Sequence, residues 1–295
     1  MATIKEIIKK VSELPTPNFI LKRIMDIASN PSSNTKELES AVLQSPPLVA
    51  KILKISNSAY YALPKKITKV SQAINILGFK TVRNLAMGIF VAESFFKRDY
   101  EYLDSKKFWQ HSLSVAIASE LLAQLVNYPD KEEIFLNGML HDLGKIVMGI
   151  ITPETLEMVL NVAEHKKVSF YRAEQMLNVV DHQKLGKQLF QEWKLPENVI
   201  YTAENHDDPE KVKIDNYTMN IYIVHLANIS VNTIYYGYSG CYDIPVPSDV
   251  VWNKFDMNVK KYLNYLNELE RKLEESNDFI KLDTYLEEQE DEENA

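Results

Sequence analysis

Apolar residues recur along this chain at helical spacing. Ile4, Ile7, Ile8 and Val11 fall at i, i+3, i+4 and i+7, one face of a 3.6-residue period. Thr3 followed by Glu6 reads as a capping box for that helix, and Leu14-Pro15-Thr16-Pro17 ends it. The same pattern predicts helices over residues 19–28, 34–43, 45–55, 71–77 and 81–95. Pro31, Ser56-Asn57-Ser58 and Gly78 punctuate them. Asn34 with Glu37 is a second N-terminal signature, and Pro47 suits a first turn. A charge-dense stretch at Lys97–Lys107 reads as a hinge. Beyond it, helices are predicted over residues 108–126, 131–140, 144–150, 153–165, 170–178, 183–193, 196–205, 216–235 and 258–275. In the last, Val259, Leu263, Leu266, Leu269 and Leu273 share a face. No long alternating strand pattern and no repeat of about 20–50 residues is present. The fold class is all-α, a compact helical N-terminal lobe followed by a second set of helices. The boundaries read as 1–100 for the first lobe, 101–256 for the second, 257–276 for a C-terminal amphipathic helix and 277–295 for an acidic, disordered tail.

Composition narrows the picture. With 45% apolar and 25% charged residues in 295, a packed core is expected. A single cysteine, Cys241, excludes an internal disulfide framework or a zinc ribbon built from this chain alone. Six acids between Glu287 and Glu293 account for most of the charge. Taking them from the net −8 leaves −2 for residues 1–286. A nearly neutral body carries no basic surplus for nucleic acid, so no direct DNA binding is expected. The N-terminus lacks the apolar core of a targeting segment. The charge-free stretch Tyr217–Tyr242 contains Asn220, His225, Asn228 and Asn232, which are costly in lipid. It reads as a buried core helix, not a membrane span, and the expected location is cytoplasmic.

The chemistry lies in histidines and carboxylates, since no glycine-rich phosphate loop, GxSxG or HExxH motif occurs. The sharpest element is His141-Asp142-Leu143-Gly144-Lys145, at the end of an apolar helix. Adjacent imidazole and carboxylate groups offer two metal-binding atoms. Gly144 would let the backbone turn tightly around a site, and Lys145 would place a cation where a phosphate could lie. His111 lies 30 residues before His141, His182 lies 40 after Asp142, His206 follows 24 further on, and Asn228 another 22. Each gap fits one or two helices, so a bundle could point these side chains at one metal. Such ligands suit iron, manganese, cobalt, nickel or zinc better than magnesium or calcium. The plain structural alternatives stay open. Each histidine taken alone also reads as a hydrogen-bonded core residue, and Lys145 as a helix-terminus cation. His225 reads as a buried hydrogen-bonding group, His165 as solvated, and Asn57-Ser58 as a helix terminator.

The order His111, His141-Asp142, His182, His206 resembles the HD superfamily of metal-dependent phosphohydrolases. Further segments are similar to its HDOD branch. These are Leu14-Pro15, Ser45-Pro46, Asn57-Ser58-Ala59, Ala73-Ile74-Asn75-Ile76-Leu77-Gly78, and the run Glu174 … His182 … Gly186 … Trp193-Lys194-Leu195-Pro196 … His206. The resemblance spans residues 10–235 or so. It implies an HDOD domain, a helical N-lobe on an HD-like lobe, of the kind found in bacterial signal transduction as output or scaffold modules. The related HD-GYP phosphodiesterases cleave cyclic di-nucleotides with metals held by His and Asp. This sequence departs from them. It lacks the GYP tripeptide, the paired histidines become His206-Asp207, and the closing aspartate is Asn228. A neutral amide attracts a dication less than a carboxylate does. One metal site at most is therefore expected, held by His111, His141, Asp142, His182 and His206, with Asn228 and Asp207 as further ligands. The resemblance points to signalling partners and to a module acting through protein or ligand contacts, with room for a homodimer. The alternative is a phosphohydrolase acting on a nucleotide or cyclic di-nucleotide, with Asp142 and Lys145 in catalytic roles.

Overall fold

A computed structural model of the chain describes residues 4–96, 100–213, 215–243 and 246–280. Its regular structure is helical throughout. Among the described residues the only extended pairing is an isolated bridge between Tyr100 and Leu103. The helices are α1 (Ile4–Val11), α2 (Phe19–Ser29), α3 (Thr35–Val42), α4 (Pro46–Ser56), α5 (Val70–Leu77), α6 (Phe79–Val91), α7 (Ser105–Leu125), α8 (Lys131–Leu140) and α9 (Leu143–Ile151). They continue with α10 (Pro153–Lys166), α11 (Phe170–Leu177), α12 (His182–Glu192), α13 (Glu197–Asn205), α14 (Thr218–Thr233), α15 (Asp249–Lys254), α16 (Val259–Glu275) and α17 (Asn277–Ile280). Thr3 of the expected capping box and the acidic run at 287–293 lie outside the described residues, as do residues 97–99 of the expected hinge.

The chain forms two compact units, one of Met1–Leu14 with Arg98–Arg271 and the other of Pro15–Lys97 with Lys272–Ala295. Residues 1–14 thus join the larger unit and not the N-terminal lobe. The cause is the apolar stripe of α1: Ile7 and Val11 are buried, and the helix packs on α9 and α12. The C-terminal helix is divided between the units. Its buried stripe also differs from the expected face. Tyr265, Leu269 and Leu273 are buried at four-residue spacing, whereas Val259 and Leu263 face solvent.

In the smaller unit, side chains of Asn18, Asn34 and Ser45 cap α2, α3 and α4 by accepting from backbone N–H groups of the first turn. Asn57 ends α4 and also holds the following loop. Its Oδ1 accepts from the Ile67 N–H at 2.7 Å, and its Nδ2 donates to the Ile67 and Leu53 carbonyls at 2.8 and 2.6 Å. Gly78, at φ +89°, takes the left-handed region between α5 and α6, which bend by 119° there.

In the larger unit, α7 and α14 bury most of their residues, polar ones included, which is why neither shows a one-sided apolar stripe. The charge-free stretch is accounted for in this way. The run Lys131–Ile151, formed by α8 and α9, is long and apolar enough to cross a bilayer, but 89% of its apolar window is buried inside the fold. The α7–α8 contact is set by Gly138, where a Cβ would lie 2.9 Å from Ala116 Cα. The α9–α12 crossing is closer still: a Cβ on Gly144 would lie 1.9 Å from the His182 carbonyl oxygen. Gly144 has helical backbone and serves no tight turn. Its role is the absence of a side chain, which brings Asp142 beside His182.

Two glycine-to-alanine variants separate this contact from helix propensity. Alanine gains about 1 kcal/mol over glycine inside a helix. At Gly149 the added Cβ is tight only against the end of the Leu156 side chain at 3.1 Å and in ordinary contact with the Tyr100 ring at 3.8 Å, so Gly149→Ala should stay within about 1 kcal/mol of the parent. Gly144→Ala is expected to lose about 3 kcal/mol or more in urea denaturation, because backbone cannot yield. Equal stabilities for the two variants would refute the close crossing.

Candidate metal centre

The site is assembled at helix ends. His141 closes α8 and His206 closes α13, where the last carbonyls of a helix lack partners. Each ring turns back on its own last turn. His141 Nδ1 lies 2.7 Å from the Gly138 carbonyl oxygen, and His206 Nδ1 lies 3.1 Å from that of Ala203. A carbonyl only accepts, so Nδ1 carries the proton and Nε2 presents a lone pair to the interior. His182 opens α12 and is fixed by Glu174 of α11. One carboxylate oxygen accepts the His182 backbone N–H at 2.7 Å, and the other accepts Nδ1–H at 2.8 Å. A third Nε2 is thereby aimed inward. His111, from the middle of α7, adds a ring whose two nitrogens have no hydrogen-bond partner.

These groups converge on Asp142, in the junction between α8 and α9. Its Oδ1 lies 3.3 Å from both His182 Nε2 and His206 Nε2. Its Oδ2 lies 3.3 Å from His141 Nε2 and 3.8 Å from His111 Nε2. Asp207 points inward as well, its Oδ2 3.2 Å from His182 Nε2 and 3.5 Å from His206 Nε2. Two overlapping triads result, His111–His141–Asp142 and Asp142–His182–His206, each with its ligand atoms within 4.8 Å of one another. The expected limit of one metal thus meets a site with two ligand sets that share a carboxylate. All the triad residues are at most 1% exposed.

The other expected residues take different roles. The Asn228 amide lies beside His111, but its Oδ1 accepts from Asn232 Nδ2 at 3.0 Å, so α14 satisfies it internally. Lys145 is buried. Its Nζ donates to Asp142 Oδ2 at 2.7 Å and to the Ser239 carbonyl at 3.1 Å, and it stands 4.7 Å from the centre of the Phe170 ring. It is an internal counterion, not a helix-terminus cation in solvent. His225 bonds through Nδ1 to the His206 carbonyl at 2.8 Å and accepts the Ser248 N–H at Nε2, a buried hydrogen-bonding role. His165 is exposed, and its Nδ1 lies 2.8 Å from the Asn161 carbonyl oxygen of its own helix.

The lone pairs provide the test of fit. Nε2 of His141, His182 and His206, Oδ1 of Asp142 and Oδ2 of Asp207 are buried and lack hydrogen-bond partners while facing one another. Buried acceptors without donors are costly, and a shared cation resolves them together. Two imidazole-rich triads with a carboxylate match a transition-metal donor set. Electrostatics agree. Burial opposes charge on Asp142, yet His141 and Lys145 hold its pKa well below the ordinary carboxylate value. Burial, reinforced by His141, pushes His111 down to about 3. Burial also lowers His141. Burial opposes charge on His182, but Glu174, Asp142 and Asp207 raise it well above the ordinary value, so in the absence of a cation a proton is drawn in.

With the geometry described, comparison with known proteins places the chain. It belongs to the HDOD domain family, whose profile matches residues 14–209. An uncharacterized protein of Treponema pallidum (strain Nichols) is 24% identical over 233 residues, covering 78% of this chain and 44% of that protein. The chain therefore spans less than half the length of that relative. A crystal structure from Marinobacter aquaeolei VT8, named as a candidate signal transduction protein, superposes with a TM-score of 0.77 at 20% identity, covering 95% of this chain and 65% of that one. Another from Shewanella amazonensis SB2B, named as a candidate phosphohydrolase, gives 0.65 at 20% identity, with 96% and 93% covered. At these identities the likeness is one of fold.

Glu174 was not assigned a role from sequence, although it precedes His182 by eight residues. Only the folded α11–α12 corner shows that one carboxylate grips both the backbone and the ring of that histidine. Two outcomes follow. Glu174→Gln should weaken Mn²⁺ or Zn²⁺ binding about 10- to 100-fold in a chelator competition, since a partner that orients a ligating imidazole is worth that much. Unchanged affinity would deny Glu174 this role. In the metal-free protein, His111 has its folded pKa at about 3 against an unfolded value near 6.5. The unfolded chain binds more protons between those values, so stability falls as pH drops through that window, by up to about 1.4 kcal/mol per pH unit for this group. Urea midpoints at pH 7 and pH 5 should show the loss, and His111→Gln should shrink it. A midpoint that rises on acidification would contradict the burial argument.

Proposed function

We propose that this chain is a bacterial, cytoplasmic HDOD signalling module that acts by binding proteins or small ligands, with a divalent metal held in its larger unit. His141, His182, His206 and Asp142 would hold the ion, with His111 and Asp207 beside them. When bound, it would supply a concentrated positive charge able to attract a phosphate or to lock four helices together. The observation that carries the reading is enclosure. The four imidazoles and Asp142 are at most 1% exposed, and only the Asp207 side chain, at 20%, reaches solvent. A turnover site keeps an open ligand position and a route for substrate. This site instead uses its ligands to tie α7, α8–α9, α12 and α13 to one point. Asn228, neutral and satisfied by Asn232, withholds the carboxylate that the HD-GYP pattern would supply.

A metal-dependent phosphohydrolase is the second reading. It is favoured by Asp142, whose two oxygens face different triads as a bridging ligand would. In that case Lys145, bound to Asp142, would be the group placed to meet a phosphate oxygen once released from its ion pair.

Two measurements decide between them. Mn²⁺-loaded protein incubated with nucleotides, cyclic di-nucleotides and bis-(p-nitrophenyl) phosphate is expected to show no turnover. Hydrolysis abolished by Asp142→Ala would overturn the binding reading in favour of the second. Removal of metal with a chelator should lower Tm by about 5 °C or more, since an ion present at 100 times its Kd stabilises by about 2.7 kcal/mol. A chain that takes up no metal and melts identically with or without it would remove both readings.

A further inference from the structure

Charge in the smaller unit is segregated along the chain. Residues 40–92 contain no Asp or Glu, while seven Lys or Arg fall among them. Pro15–Lys97 as a whole carries 11 bases and 4 acids, a net of +7 that the nearly neutral total for residues 1–286 conceals. The same unit takes in Lys272–Ala295, whose 10 acids and 2 bases give −8. Opposite charges of similar size thus belong to one compact unit.

Some of the bases are engaged within the fold. Lys51 pairs with Glu93, and Arg83 is buried with its guanidinium on Asn84 Oδ1 at 2.9 and 3.1 Å. Lys65, Lys66 and Lys69 differ. All three are exposed, and none has an ion pair among the described residues. They lie on the loop between the 3₁₀ turn Ala59–Tyr61 and α5. That loop is held in place. Asn57 bonds both backbone groups of Ile67, at 2.7 and 2.8 Å, and the Ile67 side chain is buried while its neighbours in sequence face solvent. The result is a fixed basic surface whose charges are close together and alike, an arrangement that attracts a polyanion.

The acidic piece of the unit arrives at this place. α17 packs against the turn Ala59–Tyr61, Ile280 is buried, and Lys272 Nζ stands 5.5 Å from the centre of the Tyr60 ring. The chain therefore passes position 280 beside the turn that leads into the lysine loop. Residues 281–293 follow, with seven acids and one base. Lys65 is four residues from Tyr61, at most about 14 Å of chain, and Glu287 is seven residues from Ile280, up to about 25 Å. The acids at 287–293 can reach all three lysines with both anchors as they are. A tether this short gives the acids an effective concentration in the millimolar range. One exposed ion pair is weak, but several formed together along a self-repelling acidic run are not independent.

We propose that the acidic segment 283–293 docks in cis on the loop of Lys65, Lys66 and Lys69 and masks a surface that otherwise takes an external polyanion. The proposal stands apart from the metal reading, since every group it uses belongs to the smaller unit.

Zero-length carbodiimide cross-linking of the full chain, with peptide mapping of the monomer band, tests it. Amide links from Glu287–Glu293 to Lys65, Lys66 or Lys69 are expected at least fivefold above links to Lys22 and Lys36, which are equally exposed in the same unit. Their yield should not change with protein concentration and should collapse in 1 M NaCl, where charges are screened beyond about 3 Å. A second readout does not depend on lysine chemistry. Replacing the six acids between Glu287 and Glu293 by their amides should make the chain elute from heparin at higher salt than the parent. Adding Lys65→Gln, Lys66→Gln and Lys69→Gln should abolish that gain, with melting curves checking that each variant folds. Links spread evenly over the lysines, links confined to a dimer band, or heparin elution unmoved by neutralising the acids would overturn the proposal. Dimer-only links would make a second copy the occupant.

Discussion

One buried carboxylate organises the larger unit. Asp142 lies out of water with four imidazoles around it, and its negative charge there is tolerated only because cations or donors surround it. Lys145 supplies one such charge from the next helical turn. The remaining lone pairs are left facing one another, and they need either protons or a metal. Each neighbouring helix delivers one group to this point, so the position of α7, α8, α9, α12 and α13 around Asp142 is part of the same constraint. The absence of a side chain at Gly144 is a condition for it, since the α9–α12 approach leaves no space for a Cβ.

Helix termini do much of the positioning. A histidine placed just after a helix can bond back to a carbonyl three residues earlier, which fixes its tautomer at no cost in core packing. His141 and His206 both use this device. His182 uses the opposite end, where a helix N-terminus favours a nearby carboxylate, and Glu174 fills that role while also gripping the ring. Three separate local solutions thus present Nε2 inward. His111, lacking such a tie, is placed by packing within α7 and against the neighbouring His141 ring. The result is an enclosed cluster, with the four imidazoles and Asp142 at most 1% exposed.

Much of this was legible in the sequence, and for definite reasons. The helical periodicity, the capping residue Asn34, the first-turn Pro47 and the charge-free α14 all reflect local or composition-level physics, and the helices stand close to their expected limits. The histidine set could be read because each member sat on a different helix in a recognisable order. What escaped depended on three-dimensional proximity. The union of α1 with the larger unit, the exposure of Val259 and Leu263 on α16, the close crossing at Gly144 and the grip of Glu174 on His182 come from packing between segments distant in sequence. The short helices α15 and α17 carry too few residues for a periodic signal. The inward turn of Asp207 and the internal pairing of Asn228 with Asn232 are side-chain choices that spacing alone does not determine.

On this reading several imidazoles and Asp142 together form one metal-binding centre. X-ray absorption spectroscopy of the protein loaded with Zn²⁺ or Mn²⁺ addresses it directly. A metal held there gives nitrogen or oxygen neighbours at about 2.0–2.2 Å together with the multiple-scattering signature of at least two imidazole rings, both lost in Asp142→Ala. A spectrum of oxygen ligands alone, without imidazole scattering and unchanged by that substitution, would contradict it.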